Sequence, residues 1–240
     1  MINPIANKNA IVKGDKYRFT VLTNRLMRLE YSEDGVFEDR ATQCVVNRNF
    51  DVPDFTVTQK NGALIIQTEC MRLEYRGGKF TRNTLNISYC GKLGKSAGVS
   101  GVYYFGDENN TSYKGTIRTL DRADGERELP MSVITARAMT HFDDSKSLAV
   151  TDDFVEVRPK GITDTYVFAY ADSNVECLDA FYALTGKTPL LPRFALGNWW
   201  SKFYKYTEKT YLDLMNRFKD EGIPISVAVI DMDWHKVDID

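Results

Sequence analysis

The segment YRFTVLT (17–23) sets Tyr17, Phe19 and Val21 on one side of an extended chain and Arg18 and Thr20 on the other. Side chains on a strand alternate faces with period two, so this pattern predicts a strand with one buried and one wet face. The alternation recurs in LMRLEYS (26–32), FTVTQK (55–60), ALIIQTE (63–69), MRLEYRG (71–77), TLNISYC (84–90), SLAVTD (147–152) and TYVFAYA (165–171). Turn signals such as EDG, KNG and RGG punctuate these runs, and the series predicts a mainly β architecture, an antiparallel β-sandwich. The pentapeptide MRLEY occurs twice, at 27–31 and 71–75. Two strands meeting the same alternation explain it more simply than a duplication.

Between residues 91 and 130 the periodicity gives way to Gly, Ser, Asn and Asp, which predicts a long loop holding one short strand. Its charged run RTLDRADGERE reads as a solvated turn. After 172 the period lengthens. Ser173 and Glu176 have the spacing of a capping box, and Val175, Leu178, Phe181 and Leu184 follow at helical intervals until Gly186, predicting a helix over 174–185. KTPLLPRF (187–194) is a connector stiffened by two prolines, and it divides the chain into a domain of residues 1–186 and a second part of residues 187–240.

In that second part FALGNWW (194–200) predicts a strand. Thr207 caps a helix whose stripe is Tyr211, Leu214, Met215 and Phe218, and Gly222 and Pro224 stop it. ISVAVID (225–231) is apolar without alternation, as in a parallel strand covered on both faces. The order is one βαβ unit.

Composition narrows the function classes. With 31 Lys and Arg against 33 Asp and Glu, no net field favours nucleic acid or an anionic membrane. No run nears the roughly 20 apolar residues of a membrane span, and the first residues lack a signal-peptide core, so a cytoplasmic protein is expected. Cys44, Cys70, Cys90 and Cys177 lack paired spacing and there are only two histidines, so neither a metal nor another cofactor is expected.

The stretch LTGKTPLLPRFALGNWWSKFYKYTEKTYLDLMNRFKDEGIPISVAVIDMDWH, together with GTIRTLDRADGE (115–126) and DDSKSLAV (143–150), resembles glycoside hydrolase family 31 at the junction of its sandwich and its catalytic barrel. The resemblance implies a galactose-mutarotase-like sandwich followed by a short βαβ start of a truncated (β/α)8 barrel. It also implies hydrolysis of α-linked glucosides with retention, which requires two carboxyl groups about 5 Å apart, one on each side of the scissile bond. Asp231 and Asp233, two apart on one strand, are expected to project together roughly 7 Å from each other and cannot flank a bond. The resemblance gives them another role: Asp231 stands where family members grip a sugar hydroxyl, with Trp234 lining the same mouth and Asp233 either lining it or ending the strand in solvent; Trp199 and Tyr204 either wall it from the first strand or pack between barrel and sandwich. His235 is expected to orient neighbours or to be merely exposed.

The family's Trp-x-Asp-Met nucleophile segment and its later acid/base do not occur in these residues, so no catalytic residue is assigned. Family members carry an acidic or amide side chain on a sandwich loop where TARA (135–138) here places Arg137, a cation that cannot accept a hydroxyl proton. The expected function is that of an amino-terminal fragment of an α-glucosidase-type hydrolase, inactive alone, with an α-linked glucoside or small oligosaccharide as partner. The alternative is a non-catalytic carbohydrate-binding or assembly module. The open apolar edge of the barrel fragment is expected to leave it disordered, to pack on the sandwich, or to form a homo-oligomer.

Overall fold

The computed structural model describes residues 2–91, 101–107, 113–115, 122–171 and 173–236. Two compact units divide the chain between Lys187 and Thr188.

The strands of the first unit, in chain order, are β1 (Ile11–Lys13), β2 (Tyr17–Thr23), β3 (Leu26–Tyr31), β4 (Thr56–Lys60), β5 (Ala63–Gln67), β6 (Met71–Tyr75), β7 (Leu85–Tyr89), β8 (Val102–Tyr104), β9 (Thr140–Asp143), β10 (Ala149–Val150), β11 (Val155–Glu156) and β12 (Thr163–Phe168). One antiparallel sheet has the order β1-β2-β3-β12-β9, the other is the meander β4-β5-β6-β7-β8, and β10-β11 forms a small hairpin. Inward residues of both large sheets build one core. Phe19, Val21, Met27, Leu29 and Val167 come from the first, and Ile66, Met71, Leu73, Leu85 and Ile87 from the second, all fully buried. Each such side chain contributes about 1.5–3 kcal/mol relative to exposure. The mainly β sandwich expected from alternation is what forms.

Four strands escaped the alternation: β1, β8, β9 and β11 are each two to four residues long, too short for a period to register. The predicted strand 147–152 shrinks to β10, whose partner β11 is only two residues long. Of the loop expected over 91–130, residues 92–100, 108–112 and 116–121 lie outside the described set, and β8 is the short strand within it.

The expected wet face of β2 and β3 is covered. Helix α1 (Asn174–Thr185) lays Cys177 and Leu184 against Leu22, Leu26, Tyr166 and Phe168, and Val45 joins the same cluster. The backbone N–H groups of Val46 and Asn47 both donate to the Leu184 carbonyl, tying the segment before β4 to the end of the helix. Further along the same face the polar side chains of β2, β3 and β12 form a buried ionic network, bonded to Glu38, Arg48 and Arg158 from the segments that follow β3 and β11. Asp164 accepts two bonds from Arg28, at 2.7 Å each, and one from Arg158 at 2.6 Å. Arg18 donates to Glu30 at 2.5 and 2.9 Å. Arg48 donates to the Tyr166 hydroxyl at 2.7 Å, and Asp144 accepts from Thr42 at 2.8 Å. Burial alone would raise the Asp164 carboxyl; the guanidiniums of Arg28 and Arg158 outweigh it and hold it at about 2.

The α1 boundaries match the helical period, but its start does not use the expected cap. Ser173 makes no side-chain capping bond, and Glu176 instead pairs with Arg25 at 2.9 Å. Val175, at the head of the predicted stripe, is exposed, while Cys177 and Leu184 are buried. Gly186 ends the helix at φ 87°, a conformation that favours glycine.

The second unit contains a 3-10 turn (Arg193–Leu196), β13 (Trp199–Trp200), α2 (Glu208–Asp220) and β14 (Val227–Ala228), with β13 and β14 paired in parallel. This is the expected βαβ order with shorter strands. The predicted strand 194–200 begins as the 3-10 turn, and the predicted strand 225–231 is regular only at Val227–Ala228. A two-residue neighbour cannot template seven residues of ladder. Residues 225–230 alternate between half-buried and exposed rather than being covered on both faces. The stripe Tyr211, Leu214, Met215 and Phe218 supplies the half-buried face of α2, and Phe218 packs edge-on to Trp200 at 4.9 Å. Thr207 caps the helix reciprocally with Thr210. Gly197 is obligatory for another reason: a Cβ there would lie 1.9 Å from the Ser226 hydroxyl. Among the described residues no helix is long and apolar enough to cross a membrane.

Candidate functional site

Parallel strands of a βαβ unit deliver their carboxyl ends to one side, where loop side chains gather. In the second unit those ends are the segments 201–206 and 229–236. Two contacts align them beyond the strands: the Val229 N–H donates to the Trp200 carbonyl at 2.9 Å, and Lys205 bridges Met232 in parallel register. From the helix, the Tyr211 hydroxyl donates to the Val229 carbonyl at 2.9 Å. Partial burial, helped by Tyr206, raises the Tyr211 phenol above its ordinary range.

The two aspartates do not share one regular strand. Asp233 has φ 50°, in the left-handed region, and the ladder at this point is a lone bridge at Met232. Regular strand geometry, on which the expected common projection of Asp231 and Asp233 rests, therefore does not extend through Asp233. Their environments differ accordingly. Asp231 is exposed, and among the described residues its carboxylate has no partner. Asp233 is half-buried and ion-paired to the Lys205 ammonium at 2.8 Å.

The aromatic residues separate in the same way. Trp234 is 71% exposed, with His235 edge-on to it at 4.7 Å. His235 turns its Nδ1 toward the Lys236 carbonyl at 3.0 Å. Tyr204 is half exposed, but its ring carries the Lys202 ammonium at 4.8 Å and touches Tyr206 at 4.7 Å. Tyr206 in turn meets Tyr211 at 5.1 Å, so Tyr204 ends an aromatic file running back to α2. Trp199, 53% exposed, donates its indole N–H to the Ala195 carbonyl at 3.1 Å, which fastens it to the 3-10 turn behind the strand.

Among the described residues this end of the unit therefore offers one carboxylate without a partner and one open indole, with a paired carboxylate and a cation-covered phenol beside them. A carboxylate accepts hydroxyl protons directionally, and an indole face shields the apolar face of a sugar ring. The sequence did not announce Lys202 and Lys205; basic residues in a loop are ordinarily solvated, and only the register between the two segments brings Lys205 to Asp233. In the first unit the Arg137 N–H donates to the Thr135 hydroxyl at 3.2 Å within the turn before β9. Among the described residues no cluster of three or more His, Cys, Asp or Glu side chains could hold a metal.

Residues 188–240 match the family described as the glycosyl hydrolases family 31 TIM-barrel domain. Among characterised proteins, an α-xylosidase of Saccharolobus solfataricus is 33% identical over 66 residues, 28% of this chain and 9% of that protein. Alpha-glucosidase 2 of Bacillus thermoamyloliquefaciens is 31% identical over 84 residues, 35% of this chain and 10% of that protein. In three dimensions 95% of the chain aligns with 32% of a family-31 dextranase of Flavobacterium johnsoniae solved with isomaltotriose, at TM-score 0.56 and 15% identity. It aligns over 94% of its length with 41% of a family-31 α-xylosidase from a soil metagenome solved with xylose, at TM-score 0.56 and 13% identity. The chain thus spans about a third of the first of these solved relatives and two-fifths of the second.

Proposed function

We propose, from the match of its residues 188–240 to the glycosyl hydrolases family 31 TIM-barrel domain, that this chain is the amino-terminal portion of a retaining α-glucosidase-type enzyme and holds a sugar without cleaving it. The substrate class is a terminal α-linked glucoside or a small α-linked oligosaccharide. The solved relatives bound to isomaltotriose and to xylose support a neutral sugar in place of an anion. The observation that carries the reading is Asp231, an exposed carboxylate without a partner among the described residues, just beyond the carboxyl end of β14, where barrel enzymes gather their ligand-binding groups.

In this reading Asp231 accepts hydroxyl hydrogens from the sugar and Trp234 covers its apolar face. Cleavage needs a second carboxyl group across the ring about 5 Å from the first. Asp233, two positions along the same segment and ion-paired to Lys205, is not assigned that role. The test is calorimetric titration of the 240-residue chain with maltose and isomaltose, alongside an assay with a chromogenic α-glucoside. Binding that Asp231→Asn removes, with no turnover, is the expected result. Turnover lost on Asp231→Asn would make this aspartate a chemical group and overturn the proposal.

A further inference from the structure

Lys205 makes three arrangements coincide. Its backbone forms the parallel bridge to Met232, its ammonium lies 2.8 Å from the Asp233 carboxylate, and Asp233 itself stands at φ 50°. A left-handed conformation is unfavourable for an ordinary L-residue, less so for Asp and Asn, and persists where surrounding contacts over-determine it. The contacts here are the bridge on one side and the ion pair on the other. Asp233 also lies between the two groups of the mouth that remain open, Asp231 and Trp234.

We propose that Lys205 is a positioning residue: by pairing with Asp233 it locks the left-handed turn that sets Asp231 and Trp234 to one side of a bound sugar, and it withdraws Asp233 from the ligand-binding set. The inference rests on the sugar-binding reading above and assigns within it which carboxylate meets the ligand. It also gives the cation a role that does not involve touching the sugar. An exposed ion pair is weak by itself, so the expected effect on affinity is small, at most about fivefold. Its signature is coupling.

The first measurement needs no sugar. Backbone carbon shifts of Asp233 in the labelled full chain report its φ. Lys205→Met is expected to move them toward extended values, and Lys205→Arg, which keeps the cation, is expected to hold them in place. Unchanged Asp233 shifts in Lys205→Met overturn the proposal whether or not any sugar binds.

The second measurement is calorimetry with maltose. Lys205→Met is expected to weaken binding by up to about fivefold. In an Asp233→Gly background, where glycine adopts the turn without help, the same lysine substitution is expected to change nothing further. A lysine effect that persists in the glycine background would mean that Lys205 touches the sugar itself, which contradicts the proposal. If the wild-type chain binds no maltose while the Asp233 shifts respond to Lys205 as expected, the sugar-binding reading fails and the positioning role stands.

Discussion

Asp164→Asn tests the buried ionic network at its most connected member. Asp164 is fully buried and accepts three charge-assisted bonds, two from Arg28 and one from Arg158. The surrounding buried cations are Arg18, Arg28, Arg48 and Arg158, and the anions are Glu30, Glu38, Asp144 and Asp164, so the network is neutral as it stands. Asparagine keeps the shape, deletes one charge and turns an amide N–H2 toward the guanidiniums. Removing one partner of a buried pair costs about 3–5 kcal/mol, a large share of the about 5–15 kcal/mol that stabilises a domain. All three tryptophans lie at or beyond residue 199, so unfolding of the sandwich is followed by far-UV circular dichroism in urea rather than by indole emission. Glu33→Gln, which breaks the exposed pair with Lys16, is the control and is expected to leave the midpoint in place. The sign with pH follows from the depressed carboxyl. Its stabilisation is complete above the ordinary value of 3.8 and disappears as pH falls through about 2, so the wild type loses it across that window and the Asn variant has none to lose. Glu30 and Asp144 work in the opposite direction, since burial raises both despite their arginine neighbours, and their protonation favours the native state as acid is added. A loss below about 1 kcal/mol for Asp164→Asn would show that water reaches these arginines and would refute the argument.

Other outcomes follow from the second unit. Gly197→Ala places a methyl 1.9 Å from the Ser226 hydroxyl and 2.5 Å from its Cβ, so the β13–β14 pairing should loosen, read as faster hydrogen exchange at Ser226 and Val227, whose N–H groups bond the Asn198 carbonyl. Thr207→Ala removes the reciprocal cap and should cost α2 about 1 kcal/mol, measured as weakened amide protection in its first turn. Large exposed apolar residues such as Leu196, Phe203 and Ile230 predict concentration-dependent self-association in size-exclusion chromatography, suppressed by Ile230→Lys. A strictly monomeric profile up to high concentration would remove that expectation.

The parts of the fold that were legible in the sequence are those decided locally. β2, β3, β5, β6 and β7 follow alternations complete within five to seven residues, and α2 follows a stripe complete within one helix. What escaped depends on partners far along the chain. Arg28 and Asp164 are 136 positions apart, and no period in β3 shows that its polar face will be roofed. The Ser173 and Glu176 motif met its spacing rule, yet Arg25, 151 positions away, takes the glutamate. The apolar run 225–231 is ambiguous for the same reason, since the length of a parallel strand is set by its neighbour, here two residues long. In the candidate site, Asp231 and Trp234 stood out through the family-like motif, whereas the Lys205–Asp233 pair arises from register between separate segments.

The repeated MRLEY acts as an experiment already performed within the molecule. Met, Leu and Tyr of both copies enter the same core, but Arg28 and Glu30 are buried in the ionic network with Asp164 and Arg18, while Arg72 and Glu74 pair with each other at 3.0 Å on the opposite sheet's outer face, only half shielded. Mutational tolerance should therefore diverge between letters that are identical. Position 72 should accept nearly any polar side chain, position 28 should reject even glutamine, and a substitution table averaged over the motif would describe neither place.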